Sequence, residues 1–123
     1  MTNIHNTIGG LLLVAYIAVT IIYALGIGSG RIPAFGKYVS YLASLLLVLQ
    51  YLIGVGLLAG GRQNQWYHYV LALALLIPIG AEHGFLRRRF TGRQLATNLT
   101  AVAAVTTVVI LLTYLVGLNR GGV

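Results

Sequence analysis

Four long apolar stretches, joined by short links, constrain this chain more than any other feature. A helix rises about 1.5 Å per residue, so roughly twenty residues cross the ~30 Å hydrocarbon layer of a bilayer. Stretches of about that length run over residues 8–27, 38–59, 66–86 and 95–116. In lipid the backbone must bond to itself, and a helix does this locally. The links are rich in turn formers, as in Gly28-Ser29-Gly30-Arg31-Ile32-Pro33 and Gly60-Gly61-Arg62. They are too short to hold another domain and make neighbouring helices antiparallel. The expected fold is all-α: an integral membrane, up-down four-helix bundle forming one transmembrane domain over residues 1–123.

Composition removes several kinds of chemistry. There is no cysteine, which excludes disulfides, thiolate metal sites, iron–sulfur clusters and cysteine-attached haem. Glu82 is the single acidic residue, so paired-carboxylate hydrolysis is unavailable. No Gly-rich phosphate loop or serine triad can be assembled. No catalytic residues are assigned, and the chain is not read as an enzyme on its own.

The net charge is +7, but its location argues against a nucleic-acid partner. Arg31 and Lys37 follow the first stretch, and Arg87, Arg88, Arg89 and Arg93 follow the third. The other side has Arg62 and Arg120. This asymmetry is a topology signal. It predicts a multi-pass protein with both termini outside, and Trp66, Tyr67 and Tyr69 in the outer aromatic belt. The first stretch lacks a basic leader and is too long for a usual signal-peptide core, so it is expected to be a retained helix. The arginine run reads as a topology marker and a contact for anionic lipid.

Small residues let helices approach closely in lipid. Gly80 and Gly84, Ser40 and Ser44, and Ala96, Thr100 and Ala104 have the required spacing. Pro78 is expected to kink the third helix. Gly80 and Gly84 are expected to seat a neighbouring helix, with Glu82 turned away from lipid.

Ionisable side chains within membrane spans are functional candidates by default. His5 opens the first stretch, and His68 lies at the start of the third. Antiparallel order puts both at one membrane level. Two imidazoles on separate helices at one level can hold a haem iron from both sides. Gly9 and Gly10 follow His5 and leave room for a flat group. The competing reading makes both histidines separate interfacial residues.

His83 lies fifteen positions after His68, about 22 Å along a helix, and belongs to the opposite level. It could bind a cofactor indirectly or, with Glu82, pass protons to a quinone. Glu82 is expected instead to pair with Lys37 or one of Arg87 to Arg89 as an interfacial anchor. Tyr16 and Tyr23 fall near the face of His5 and read as packing residues. Gln50 lies mid-span and must face the bundle, because an unpaired amide in lipid is costly.

The pattern resembles small bacterial four-helix membrane proteins of cytochrome b-like type. A His opens the first helix. Gln50-Tyr51-Leu52-Ile53-Gly54 lies in the second, and His68 and His83-Gly84-Phe85-Leu86-Arg87 frame the third. Gly9 stands near the place where such proteins often have a basic residue. The resemblance implies haem b between the first and third helices.

Two functions follow as expectations. One is a b-type haem protein that relays electrons, with His5 and His68 as ligands, within a larger membrane complex and with quinone as a candidate redox partner. The other is a non-catalytic accessory subunit of a respiratory or photosynthetic assembly. It would bind lipid, other subunits or a second copy, and a chlorophyll-type pigment through one His.

Overall fold

The structure is a computed structural model and describes residues 2–61 and 66–118. Arg62 and Arg120, which mark the sparsely charged side in the topology argument, lie outside the described residues. Four helices are long and apolar enough to cross a membrane. They are α1 (Thr2–Ser29), α2 (Phe35–Ala59), α3 (Trp66–Arg89) and α4 (Gly92–Leu118). Among the described residues there is no strand, so the fold is the all-α bundle expected from the sequence.

Each helix is longer than its apolar stretch. Polar Asn3, Asn6 and Thr7 already lie within α1, so His5 is one turn inside the helix. Hydropathy marks the width of the hydrocarbon layer, whereas backbone bonding carries the helix on into the interface.

The buried positions repeat with alternating steps of three and four. On α1 they are Gly9, Leu12, Tyr16, Val19, Tyr23 and Gly26. On α2 they are Gly36, Ser40, Ala43 and Leu47, and on α4 Ala96, Leu99, Ala103, Thr106 and Ile110. This 3.5-residue period is the seam of a left-handed bundle, in which side chains of one helix fill gaps on the next. α1 packs most extensively on α4, and also on α2, while α3 packs on α4. Closeness at the seam is literal: a Cβ on Gly36 would stand 2.7 Å from Cγ2 of Ile22.

The outward faces are apolar, as lipid requires. Leu52 and Ile77 are 66% and 77% exposed, and many Leu, Val and Ile side chains share that surface. A soluble monomer rarely shows so much apolar surface.

α1 stops at Gly30, whose φ of 73° suits a residue without Cβ. Its last carbonyls are capped across the bundle. Arg93 donates from Nε to Ile27 O at 2.9 Å and from Nη2 to Gly28 O at 3.1 Å. Cations at a helix C-terminus also meet the negative end of its dipole. Arg93 thus ties the first and third links together, a structural role beyond the lipid contact expected of the run.

α3 is interrupted. Its first α-helical segment ends at Ala74 and a second runs Leu76–Gly80. Pro78 explains the break: it has no N–H, and its ring crowds the carbonyl four residues back, that of Ala74. A π turn follows over Ala81–Leu86, then a last helical turn over Arg87–Arg89. Residues in a π turn advance less than the usual 100° each. Phase counted from His68 at α-helical pitch is therefore lost at Glu82 and His83.

The expected docking role of Gly80 and Gly84 inside the bundle is not realised. A Cβ on Gly80 would meet nothing within 4 Å, and one on Gly84 only the end of the Arg88 side chain. Gly80 closes the segment before the π turn and faces outward, while Glu82, within the turn, faces inward as expected.

Candidate functional site

His5 and His68 meet. Their ring centroids are 6.4 Å apart and the planes make an angle of 71°. The antiparallel bundle brings the start of α1 and the start of α3 to one end, and each helix turns its histidine inward. His68 is further held by Nδ1, which lies 3.1 Å from the carbonyl oxygen of Thr113 on α4. A backbone carbonyl can only accept, so Nδ1 carries the proton and Nε2 the lone pair. His5 has its Nδ1 buried without a hydrogen-bond partner.

Around the two rings lies a cavity of about 340 Å³, to which all four helices contribute. Leu12, Leu47 and Ile110 form part of its apolar floor. Two glycines shape it. A Cβ on Gly54 would sit 3.3 Å from Cε1 of His5. One on Gly9 would sit 3.1 Å from Cδ2 of Tyr114 and 3.2 Å from Nε2 of Gln50. Gln50 faces inward as expected, and its Nε2 donates to the His5 carbonyl at 2.8 Å. That bond ties α2 to the first turns of α1, while Gln50 Oε1 stays buried and unpaired. The Tyr51 hydroxyl donates to the carbonyl of Ala72, bridging α2 to α3 beside the cavity.

His83 is not part of this lining. It lies toward the basic end, in a second polar cluster. Ser44 Oγ stands 2.8 Å from His83 Nε2 and 3.1 Å from the Tyr16 hydroxyl. Tyr41 stacks on the His83 ring with centroids 5.4 Å apart. Next to it, Glu82 is fully buried. The hydroxyls of Tyr23 and Ser40 both donate to its Oε2. Arg87 Nη2 donates in turn to the Tyr23 hydroxyl at 2.9 Å.

The expectation that Glu82 anchors the interface by pairing directly with Arg or Lys is therefore corrected. Tyr23 stands between Arg87 and the carboxylate. The physical reason is depth: a carboxylate inside the bundle needs close donors, and inward-facing hydroxyls of α1 and α2 supply them. Tyr16 and Tyr23 are on the inner face of α1, as their spacing suggested, but they serve this cluster and not His5. The spacing fixed their face. It could not show which partner would meet them.

Among the described residues, no group of three or more His, Cys, Asp or Glu side chains converges to hold a metal ion. The two imidazoles of the cavity are the candidate donor pair. Compared with protein families, curated proteins and solved structures, the chain matches none.

Proposed function

We propose that this protein binds one b-type haem between His5 and His68 and relays electrons within the membrane. The observation that carries the reading is the close approach of the two rings, 6.4 Å between centroids, at an apolar cavity that both line. Two imidazoles holding one metal at roughly 2.0 Å from each nitrogen have ring centres about 6 Å apart. The cavity's volume of about 340 Å³ falls within the size range of cofactor pockets.

The donor count favours a group that brings its own ligands. Two histidines alone leave a bare metal ion short of partners, whereas a porphyrin supplies four nitrogens and needs two axial ligands. A haem held there would supply one-electron redox chemistry. The chain's own residues do the positioning. The Thr113 carbonyl sets the tautomer and tilt of His68, as outer partners of metal-bound histidines do. Gln50 holds the first turns of α1, Gly9 and Gly54 leave space, and Leu12, Leu47 and Ile110 give the cavity an apolar wall.

Nearly all the described chain lies in its four spans, so the redox partner is read as a membrane component. Other subunits of a complex, a second copy or a lipid-soluble quinone fit this. The basic links support an orientation with both termini outside, and the resemblance to small bacterial membrane proteins favours a bacterial inner membrane.

The absorbance spectrum of the purified chain tests the reading. A Soret band, with α and β bands that sharpen on reduction, is expected. Long-wavelength pigment bands, or no visible bands after expression with ample haem, would favour the accessory-subunit reading.

A further inference from the structure

At the basic end lies a polar site that the electron-relay reading does not use. Glu82 is the single acidic side chain of the chain and is fully buried. Its two oxygens differ. Oε2 accepts from Tyr23 and Ser40. Oε1 is buried with no hydrogen-bond partner, 3.9 Å from Nε2 of His83. A buried acceptor left bare is destabilising, because it has lost its water and gained no donor. A proton on Oε1 would turn it into a donor beside an imidazole nitrogen.

We propose that Glu82 and His83 form a proton-binding pair inside the membrane. The pair takes up one proton from the basic-end interface and exchanges it between Glu82 Oε1 and His83 Nε2. On uptake an N–H bond forms at His83 Nε2 and the ring becomes an imidazolium beside the carboxylate. On transfer that N–H bond breaks and an O–H bond forms at Glu82 Oε1, leaving a neutral imidazole and a neutral acid with no change in net charge. Release runs the same two steps in reverse, and the proton returns to water. No electron moves and no co-reactant is needed.

The surroundings suit this exchange. His83 keeps 23% of its side chain exposed, while Glu82 keeps none, so the imidazole is the side that meets the interface. Ser44 touches Nε2 and, as a hydroxyl, can accept or donate as the ring changes state. Tyr16 continues the chain of hydroxyls toward the middle of the membrane. Every packed element can be accounted for. α1 presents Tyr16 and Tyr23. α2 presents Ser40, Tyr41 and Ser44, with Lys37 Nζ 5.8 Å from the Tyr41 ring. α3 adds Arg87, linked through Tyr23. The inward stripe of α4 at this end is Ala96, Leu99 and Ala103, which carry no titratable group.

Both members sit on the π turn Ala81–Leu86. Such turns occur often at functional sites, where the wider ring displaces side chains from α-helical phase. Here the displacement turns two adjacent residues toward the same cluster.

Having one acidic side chain makes the test clean. Glutamate labelled with 13C at the side-chain carboxyl reports Glu82 alone. The full chain, labelled and held in lipid nanodiscs, is titrated with pH and followed by infrared difference spectroscopy in H2O and D2O. The expected result is a protonated-carboxyl band that exchanges with carboxylate bands as pH changes and shifts in D2O. Its titration midpoint should move in His83→Gln and stay in place in Arg88→Gln. A signal unchanged over the whole pH range in which the chain stays folded would overturn the proposal. So would a midpoint indifferent to His83→Gln. The measurement is made without haem, so its outcome is independent of what the His5–His68 cavity holds.

Discussion

His68 Nδ1 lies 3.1 Å from the carbonyl oxygen of Thr113, a contact that joins a side chain of α3 to the backbone of α4. The Thr113 hydroxyl is engaged elsewhere and donates to the carbonyl of Val109 at 2.7 Å. Thr113→Ala should therefore leave cofactor binding unchanged and stability within about 0.5 kcal/mol. Cofactor titration and thermal unfolding of this variant check the point. A tenfold weaker affinity would show that the hydroxyl, not the carbonyl, orients the ring.

Gly54 and Gly80 should respond in opposite ways to added bulk. A Cβ at Gly54 would press on Cε1 of His5, whereas one at Gly80 would meet nothing within 4 Å. Gly54→Val should displace His5 and abolish cofactor binding, with an overpacking cost of about 1–3 kcal/mol. Gly80→Leu should change stability by less than about 0.5 kcal/mol. Ala72→Leu, which narrows the cavity, should be the more harmful of the two leucine substitutions. Thermal unfolding in detergent, run with cofactor titration, ranks all three.

Glu82 is the partner of two buried hydroxyls. Glu82→Ala leaves both unpaired, and each orphaned group costs roughly 1–3 kcal/mol. Glu82→Gln keeps an acceptor oxygen and should lose less. Unfolding midpoints for the two variants should fall in that order. Equal losses would mean that the charge of Glu82, and not its hydrogen bonds, stabilises the bundle.

Reporter fusions in the 87–93 link and at Gly122 test the proposed orientation. Cytoplasmic signal is expected from the link alone. Cytoplasmic signal at Gly122 would reverse the topology drawn from the basic residues.

The spans were legible because hydrocarbon thickness sets a length that composition can match. The meeting of His5 and His68 was legible because short links make the helices antiparallel and so level their starts. Gln50 was legible because lipid leaves a mid-span amide no other direction. That Glu82 turns away from lipid was legible, because a carboxylate in hydrocarbon is costly. Its partners were not, because only packing decides that the hydroxyls of Tyr23 and Ser40 reach it in place of Arg or Lys. Gly80 and Gly84 were misplaced because a small-residue spacing does not say which way its helix face turns. The Thr113 carbonyl had no signal at all, because every residue has one and only packing decides which is used.

Haem stoichiometry in single-histidine variants tests the central claim most directly. The purified chain, His5→Ala, His68→Ala and His83→Ala are each titrated with haem in detergent, with helicity monitored alongside. One haem per chain is expected for the unaltered protein and for His83→Ala. His5→Ala and His68→Ala should lose the bis-histidine spectrum while remaining helical. Full binding in both His5→Ala and His68→Ala, or loss confined to His83→Ala, would contradict the assignment of the cavity.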